Sequence, residues 1–341
     1  MKKMAVFSCP GLGDGLISLQ LAYNLSLNGY QVDLFHDQNF YQLQSWTNVL
    51  IQKYPDFFDI EQLFREYEKV FVSQDLENLY VQALIFEGKR KYPKRLFVLN
   101  PSPSKKVGTQ AFYKDTYFRP DICMAKNIEL FSKNILKLKK TTAQSPLQLS
   151  RFQNQSLADT LFSLKKEKLK KQEENHQKKI ALENKKRKIV IHPVASRISK
   201  SWKKTKFLKL ATLLEKQSFE VFFVMTKKEK ARFVWKEAAD KIKIFPTLHE
   251  LALFLTNAAV FVGGDSGVGH LASALHIPTI SIFRSYRTAL LWRPGWGNNQ
   301  IIFPSHLIPN VSGFRLRDQK WASFISVKKV EKTILQSLEV K

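Results

Sequence analysis

Short apolar runs alternate with amphipathic stretches through the first hundred residues. "MAVFS" at 4–8 reads as a strand and "CPGLGDG" as a tight turn. Residues 16–28 form a predicted helix with Leu16, Leu19, Tyr23 and Leu27 on one face. Asn28-Gly29 stops that helix, and "YQVDLFH" begins the next strand. "KVFVS" (69–73) and "RLFVLNP" (95–101) read as later strands of the same sheet, with mostly helical stretches between them. Strands separated by helices predict a parallel α/β sheet.

The pattern lapses at 165–188, a run with little apolar periodicity and no Gly or Pro, so it reads as a solvated helix or linker. A second strand–helix series then starts. It runs "KIVIHP", helix 205–217, "FEVFFVM", helix 228–240, "KIKIFP", helix 247–257, "AVFVGG", helix 266–276 and "TISIF". A last helix at about 326–338 carries Val327, Val330, Ile334 and Leu338. Two successive series of similar size predict twin doubly wound domains with a cleft between them.

Composition narrows the class. A chain of 341 residues with 44% hydrophobic and 25% charged residues reads as globular and suits two domains. No apolar run reaches the roughly 20 residues of a membrane-spanning helix. "MKKMAVFSCPGLGDG" turns to Gly, Pro and Asp where a signal peptide would stay apolar, so the expected location is the cytoplasm. Cys9 and Cys123 offer neither a metal nor a disulfide framework. The net charge is +26, and the 165–188 run supplies only eleven basic against four acidic residues of it. The basicity is general. Such a field favours polyanionic partners: nucleic acid, an anionic membrane surface or phosphorylated substrates.

Three stretches carry candidate chemistry. The first is "FVGGDSGVGHLASALHIPTISIF", Phe261 to Phe283, where Gly263, Gly264 and Gly267 let a ligand approach the backbone at a helix N-terminus. Unpaired N–H groups and the positive dipole end suit a phosphate there, with Ser266 and His270 near the open end. The alternative makes Asp265 or Ser266 an N-cap and His270 a surface histidine. The second is Gly11-Leu12-Gly13-Asp14-Gly15. Leu16 stands where a dinucleotide fingerprint needs its third Gly, so Asp14 reads as a general base at a strand end, or as the N-cap of helix 16–28. The third is "HPVASRISKSWKK" (192–204), where Lys200 could meet a diphosphate and Ser196 add a hydroxyl, unless both lie on a solvated face. Glu229 could accept from a ribose, or simply start a helix.

In order, these stretches resemble glycosyltransferase family 9, the heptosyltransferases of the lipopolysaccharide inner core. The resemblance rests on "GLGDGLISLQLAYNL", "IHPVASRISKSW", "TLHELALFLTNAAVFVGGDSGVGHLASALHIPTISIF" and "ISVKKVEKTIL". The Asp-Ser-Gly-x-x-His-x-x-x-Ala-x-x-x-Pro spacing looks like the family's donor-site signature. The resemblance implies a GT-B fold: two facing Rossmann-like domains with parallel sheets and an interdomain cleft. On this chain that means an acceptor domain at 1–163, a basic linker at 164–188 and a nucleotide-sugar domain at 189–320. Residues 321–341 would form a helix packing back toward the N-terminal domain.

The resemblance further implies an inverting, metal-independent transfer of heptose from ADP-heptose to a Kdo-lipid A type acceptor, with Asp14 as base and no cofactor. Ser196, Lys200, Asp265, Ser266, Gly267 and His270 would hold the donor, and Glu229 its nucleoside. Metal independence agrees with the lack of an Asp-x-Asp pair, since lysine and a helix dipole can neutralise a leaving diphosphate. Three positions depart from the family pattern around the donor: Val194 for Gly, Gly264 for Asn and Arg284 for Gly. Lys105, Lys106, Lys114 and Arg119 are the candidates for meeting acceptor carboxylates or phosphates. Two other readings remain open. One is a family-like protein that uses another nucleotide-sugar or has lost transfer. The other is a nucleic-acid-binding protein, motivated by charge alone, although no such motif is present and nucleic acid is not the expected partner.

Overall fold

The computed structural model describes residues 1–36, 39–54, 59–73, 78–99, 118–149, 187–195, 198–232, 235–310 and 315–339. The chain forms two compact α/β units. One comprises Met1–Pro146, Thr247–His249 and Tyr286–Trp296, and the other Leu147–Pro246, Glu250–Ser285 and Gly297–Lys341.

The first unit is built on five parallel strands in the order β3-β2-β1-β4-β5. They are β1 (Lys3–Phe7), β2 (Gln31–His36), β3 (Leu50–Lys53), β4 (Lys69–Ser73) and β5 (Leu96–Leu99). Helices α1 (Leu12–Ser26), α2 (Ile60–Glu66), α3 (Leu79–Lys91) and α4 (Met124–Asn134) accompany them. Predicted strands 4–8, 30–36, 69–73 and 95–101 are all present. Helix 16–28 is corrected: α1 starts four residues earlier, because Gly11 at φ 115° turns the chain straight from β1 into the helix.

α1 is also buried more widely than one apolar face requires. Ser18, Gln20 and Asn24 lie inside, and each finds a partner. Gln20 donates to the Thr142 carbonyl (2.9 Å) and accepts from the Trp296 indole (2.9 Å). Asn24 accepts from the Thr142 N–H (3.0 Å). A second polar core holds β2 to the entry of β4. The fully buried Asp33 carboxylate accepts from the Tyr67 hydroxyl (2.5 Å) and pairs with Lys3 (3.0 Å), which also reaches Glu66. Burial first, and the Asp33 carboxylate second, push the Tyr67 hydroxyl well above the ordinary phenol range.

The second unit has six parallel strands in the order β11-β10-β9-β6-β7-β8. These are β6 (Lys188–His192), β7 (Glu220–Val224), β8 (Ile242–Lys243), β9 (Val260–Gly264), β10 (Thr279–Ile282) and β11 (Asn299–Ile302). Its helices up to β10 are α5 (Lys204–Lys216), α6 (Lys227–Arg232), α7 (Leu248–Thr256) and α8 (Gly267–Ala274). Every residue of β9 is buried, as expected of a central strand covered on both faces. Predicted helix 228–240 is corrected: α6 ends at Arg232, and a 3-10 turn at Lys236–Lys241 follows.

The chain continues through α9 (Tyr286–Trp292), α10 (Leu316–Lys320) and α11 (Val327–Glu339). The last helix, α11, contributes to the second unit. Its Val327, Val330 and Ile334 enter the second unit's own core beside Phe207, Leu210 and Val262. Lys206 fixes the approach by donating to the carbonyls of Ala322 (2.9 Å), Ser323 (2.8 Å) and Ile325 (2.6 Å). Residues 286–296 are the late segment that belongs with the first unit. The expected linker 164–188 lies outside the described residues up to 186, and Lys188 already begins β6.

Candidate functional site

Strand order marks one place in each sheet where ligands of such folds gather. In the second unit successive connections leave β6 in opposite directions, so the carboxyl ends of β6 and β9 flank an opening in the layer of crossovers. β6 ends at His192, and β9 ends at Gly263-Gly264, followed by Asp265 and Ser266. A Cβ on Gly263 would lie 2.9 Å from the Phe261 ring and 3.2 Å from the His192 carbonyl oxygen, so this position demands glycine. On Gly264 a Cβ would meet nothing closer than 3.7 Å.

Ser266 caps α8 with extended backbone and accepts from the Gly269 N–H at 3.4 Å. The N–H groups of Gly267 and Val268 stand in the first helical turn, where no carbonyl of the helix reaches them. Beside them Lys200 pairs with Asp265 at 3.0 Å. His192 lies between two further partners: its Nδ1 is 3.2 Å from the Ser266 hydroxyl and its Nε2 is 3.5 Å from Glu229. Glu229 also closes a capping box on α6, accepting from the Thr226 N–H (2.7 Å) while Thr226 accepts from the Glu229 N–H (3.1 Å). Burial works against the Glu229 carboxylate, but the hydrogen bond and charge of His192, with those from Thr226, outweigh it and hold its pKa at about 2.

Lys200, Asp265, Ser266, Gly267, His192 and Glu229 therefore stand together at one sheet edge. Chemically this is a cation, a run of amides and a hydroxyl around a glycine floor, suited to an oxyanion. Glu229 is already engaged by protein groups, so a ribose would have to share its carboxylate. His270 is 6% exposed, so the alternative that made it a surface histidine does not hold: α8 is buried from Gly269 to Ala274. Ser196 lies outside the described residues.

In the first unit the comparable position is the carboxyl end of β1, between β2 and β4. Asp14 is not an N-cap. It is the third residue of α1, half-buried, with its Oδ2 3.1 Å from where a Cβ on Gly11 would stand. His36 Nε2 lies 3.2 Å from the Gly11 carbonyl and stacks on Phe40. Gly15 fits beneath that pair, since a Cβ there would lie 2.7 Å from the Phe40 ring. Of the acceptor candidates, Lys105, Lys106 and Lys114 fall outside the described residues. Arg119 is exposed and spends its guanidinium on Asp121 (2.6 Å).

The family model described as glycosyltransferase family 9 (heptosyltransferase) matches residues 109–313, more than half of the chain. The chain belongs to glycosyltransferase family 9. A lipopolysaccharide heptosyltransferase 3 of Escherichia coli is 31% identical over 123 residues, covering 34% of this chain and 36% of that protein. Lipopolysaccharide heptosyltransferase 1 of Campylobacter coli is 36% identical over 124 residues, 33% of this chain and 36% of its own length. The match thus spans about a third of these curated relatives. Among solved structures, the E. coli ADP-heptose lps heptosyltransferase II aligns with TM-score 0.63 and 16% identity, covering 99% of this chain and 98% of that one. The E. coli heptosyltransferase WaaC with ADP aligns with TM-score 0.59 and 15% identity, covering 98% and 99%. These likenesses establish the GT-B fold for this family 9 chain.

In the sequence His192 reads as the last residue of a buried strand, with only its position to mark it as part of a site. The signal available was its place at a strand's carboxyl end immediately before Pro193.

Proposed function

We propose that this family 9 chain is an inverting, metal-independent glycosyltransferase that moves heptose from ADP-heptose to a lipopolysaccharide inner-core acceptor. The observation that carries the reading is the convergence of Lys200, Ser266 and the first amides of α8 over Gly263 and Gly264. That group offers positive charge and donors to a departing ADP without a cation. One structural relative, the E. coli heptosyltransferase WaaC, is known in complexes with ADP and with ADP-2-deoxy-2-fluoro heptose, which supports the same donor class here. Asp14, in the first turn of α1 at the end of β1, serves as the base that takes the proton from the attacking acceptor hydroxyl.

The +26 charge supports an anionic glycolipid acceptor and contact with an anionic membrane surface from the cytoplasmic side. Among the described residues no helix is long and apolar enough to cross a membrane. We further propose that the acceptor domain is the first unit and the donor domain the second.

The test is a donor panel of ADP-, UDP- and GDP-sugars with a truncated Kdo-lipid acceptor, read as nucleoside diphosphate release. ADP release from ADP-heptose alone is expected, and Asp14→Asn should reduce it by about 100-fold or more. Preference for a non-adenine donor would reject heptosyl transfer, and full turnover by Asp14→Asn would remove the base.

A further inference from the structure

His192 is buried, 5% exposed at its side chain, and stands between a serine and a carboxylate. Counting hydrogens on the two partners restricts what it can do. Glu229 stays ionised well below neutrality, so the ring nitrogen facing it, Nε2, keeps its proton. In the neutral imidazole Nδ1 is then an acceptor, and among the described residues its hydrogen-bond partner is the Ser266 hydroxyl at 3.2 Å. Ser266 also accepts from the Gly269 N–H. In this state its one hydrogen points inward, and it has none to offer a ligand.

Protonating Nδ1 reverses the bond. The imidazolium donates to Ser266, whose two acceptor positions are then filled by Gly269 and His192. Its hydrogen must turn to the remaining direction, the side of the helix start. We propose that His192 is a positioning residue that takes up a proton when a nucleoside diphosphate binds at the start of α8, turning the Ser266 hydroxyl from the imidazole to the phosphate.

The inference rests on the donor-site reading above. Among the described residues, the other charged groups nearby are Lys200 and Asp265, paired with each other, and the buried His270 one turn along α8. Lys200 and a protonated His192 both favour an anion, and Asp265 is neutralised by Lys200. The bound anion raises the proton affinity of His192, so binding is tighter at low pH and weakens as pH rises through the histidine's value in the complex.

The experiment is isothermal titration of ADP into the full chain at pH 6, 7 and 8, in buffers of different ionisation heat. ADP's own phosphate also titrates in this range, so the comparison is with His192→Asn, which carries no titrating group at this position. Expected is a loss of ADP affinity of about tenfold across this range in the wild type beyond any in His192→Asn, with a larger proton uptake in the wild type than in the variant. Equal pH slopes in the two proteins would overturn the role of His192 while leaving the donor site intact. Failure of the wild type to bind ADP at any pH would overturn the donor site and this inference with it. Should His192→Asn not fold, the imidazole nitrogen resonances of the wild type decide. ADP at pH 7 should convert His192 from one protonated nitrogen to two, and an unchanged tautomer would overturn the proposal.

Discussion

Replacing Lys200 by Met separates binding from stability. The ammonium pairs with Asp265 at 3.0 Å, but the lysine side chain is 39% exposed and the aspartate 21%. A pair that open to water contributes at most about 1 kcal/mol to folding. The thermal midpoint of Lys200→Met should therefore fall by no more than about 4 °C. A charge-assisted contact to a bound diphosphate is worth more, about 1.5–3 kcal/mol. Converted to affinity, that predicts ADP binding weaker by about 10- to 150-fold, measured by isothermal titration on protein whose melting curve is also recorded. Asp265→Asn supplies the control. It releases the same ion pair but leaves the lysine free and removes a negative charge from the helix start, so ADP should bind at least as tightly as to the wild type. If Asp265→Asn weakens ADP as much as Lys200→Met does, the pair is a structural unit and the lysine is not a phosphate ligand. Unchanged ADP affinity in Lys200→Met would refute the cradle directly.

Glu229→Gln should destabilise the chain at pH 5 by up to about 3 kcal/mol in urea titrations, because the native carboxylate is held at about 2 against an ordinary 4.5. That stabilisation is complete above the unfolded value and disappears as pH falls through the folded one, so mutant and wild type should converge near pH 2. Lys3→Met leaves the Asp33 carboxylate buried with only Tyr67 as partner, which should cost about 3 kcal/mol, again read in urea. Gly263→Ala should lower the melting temperature and abolish ADP binding. Gly264→Ala, whose new methyl meets nothing inside 3.7 Å, should melt within about 2 °C of the wild type.

The central strands were legible in the sequence because burial on both faces requires unbroken apolar runs, as in "MAVFS", "KIVIH" and "AVFVGG". Two of the four edge strands, β3 and β11, leave no such trace. Only Ile51 of β3 is buried, and β11 starts with Asn299 and Gln300, so neither contrasts with its surroundings. Amphipathicity showed that the last helix packs, since Val327, Val330 and Ile334 share one face, but it carries no information about which surface receives them. The same gap explains the site. Glycines around Asp265 and Ser266 announce a turn into a helix, whereas the meeting of His192 with Ser266 depends on β9 returning beside β6 across 74 residues of chain. Pairing of distant strands is a property of topology, and spacing along the chain does not encode it.

The segment Tyr286–Trp296 has a bearing on how the polypeptide is made. Trp296, 2% exposed, gives its indole hydrogen to Gln20 in α1, and Trp46 gives its own to His249 at 3.0 Å. A ribosome that has emitted the first 146 residues has thus released every strand of the N-terminal sheet but neither of these anchoring partners. The first unit closes only after Trp296 has been made, by which point five strands of the second unit's sheet, β6 to β10, have also been synthesised.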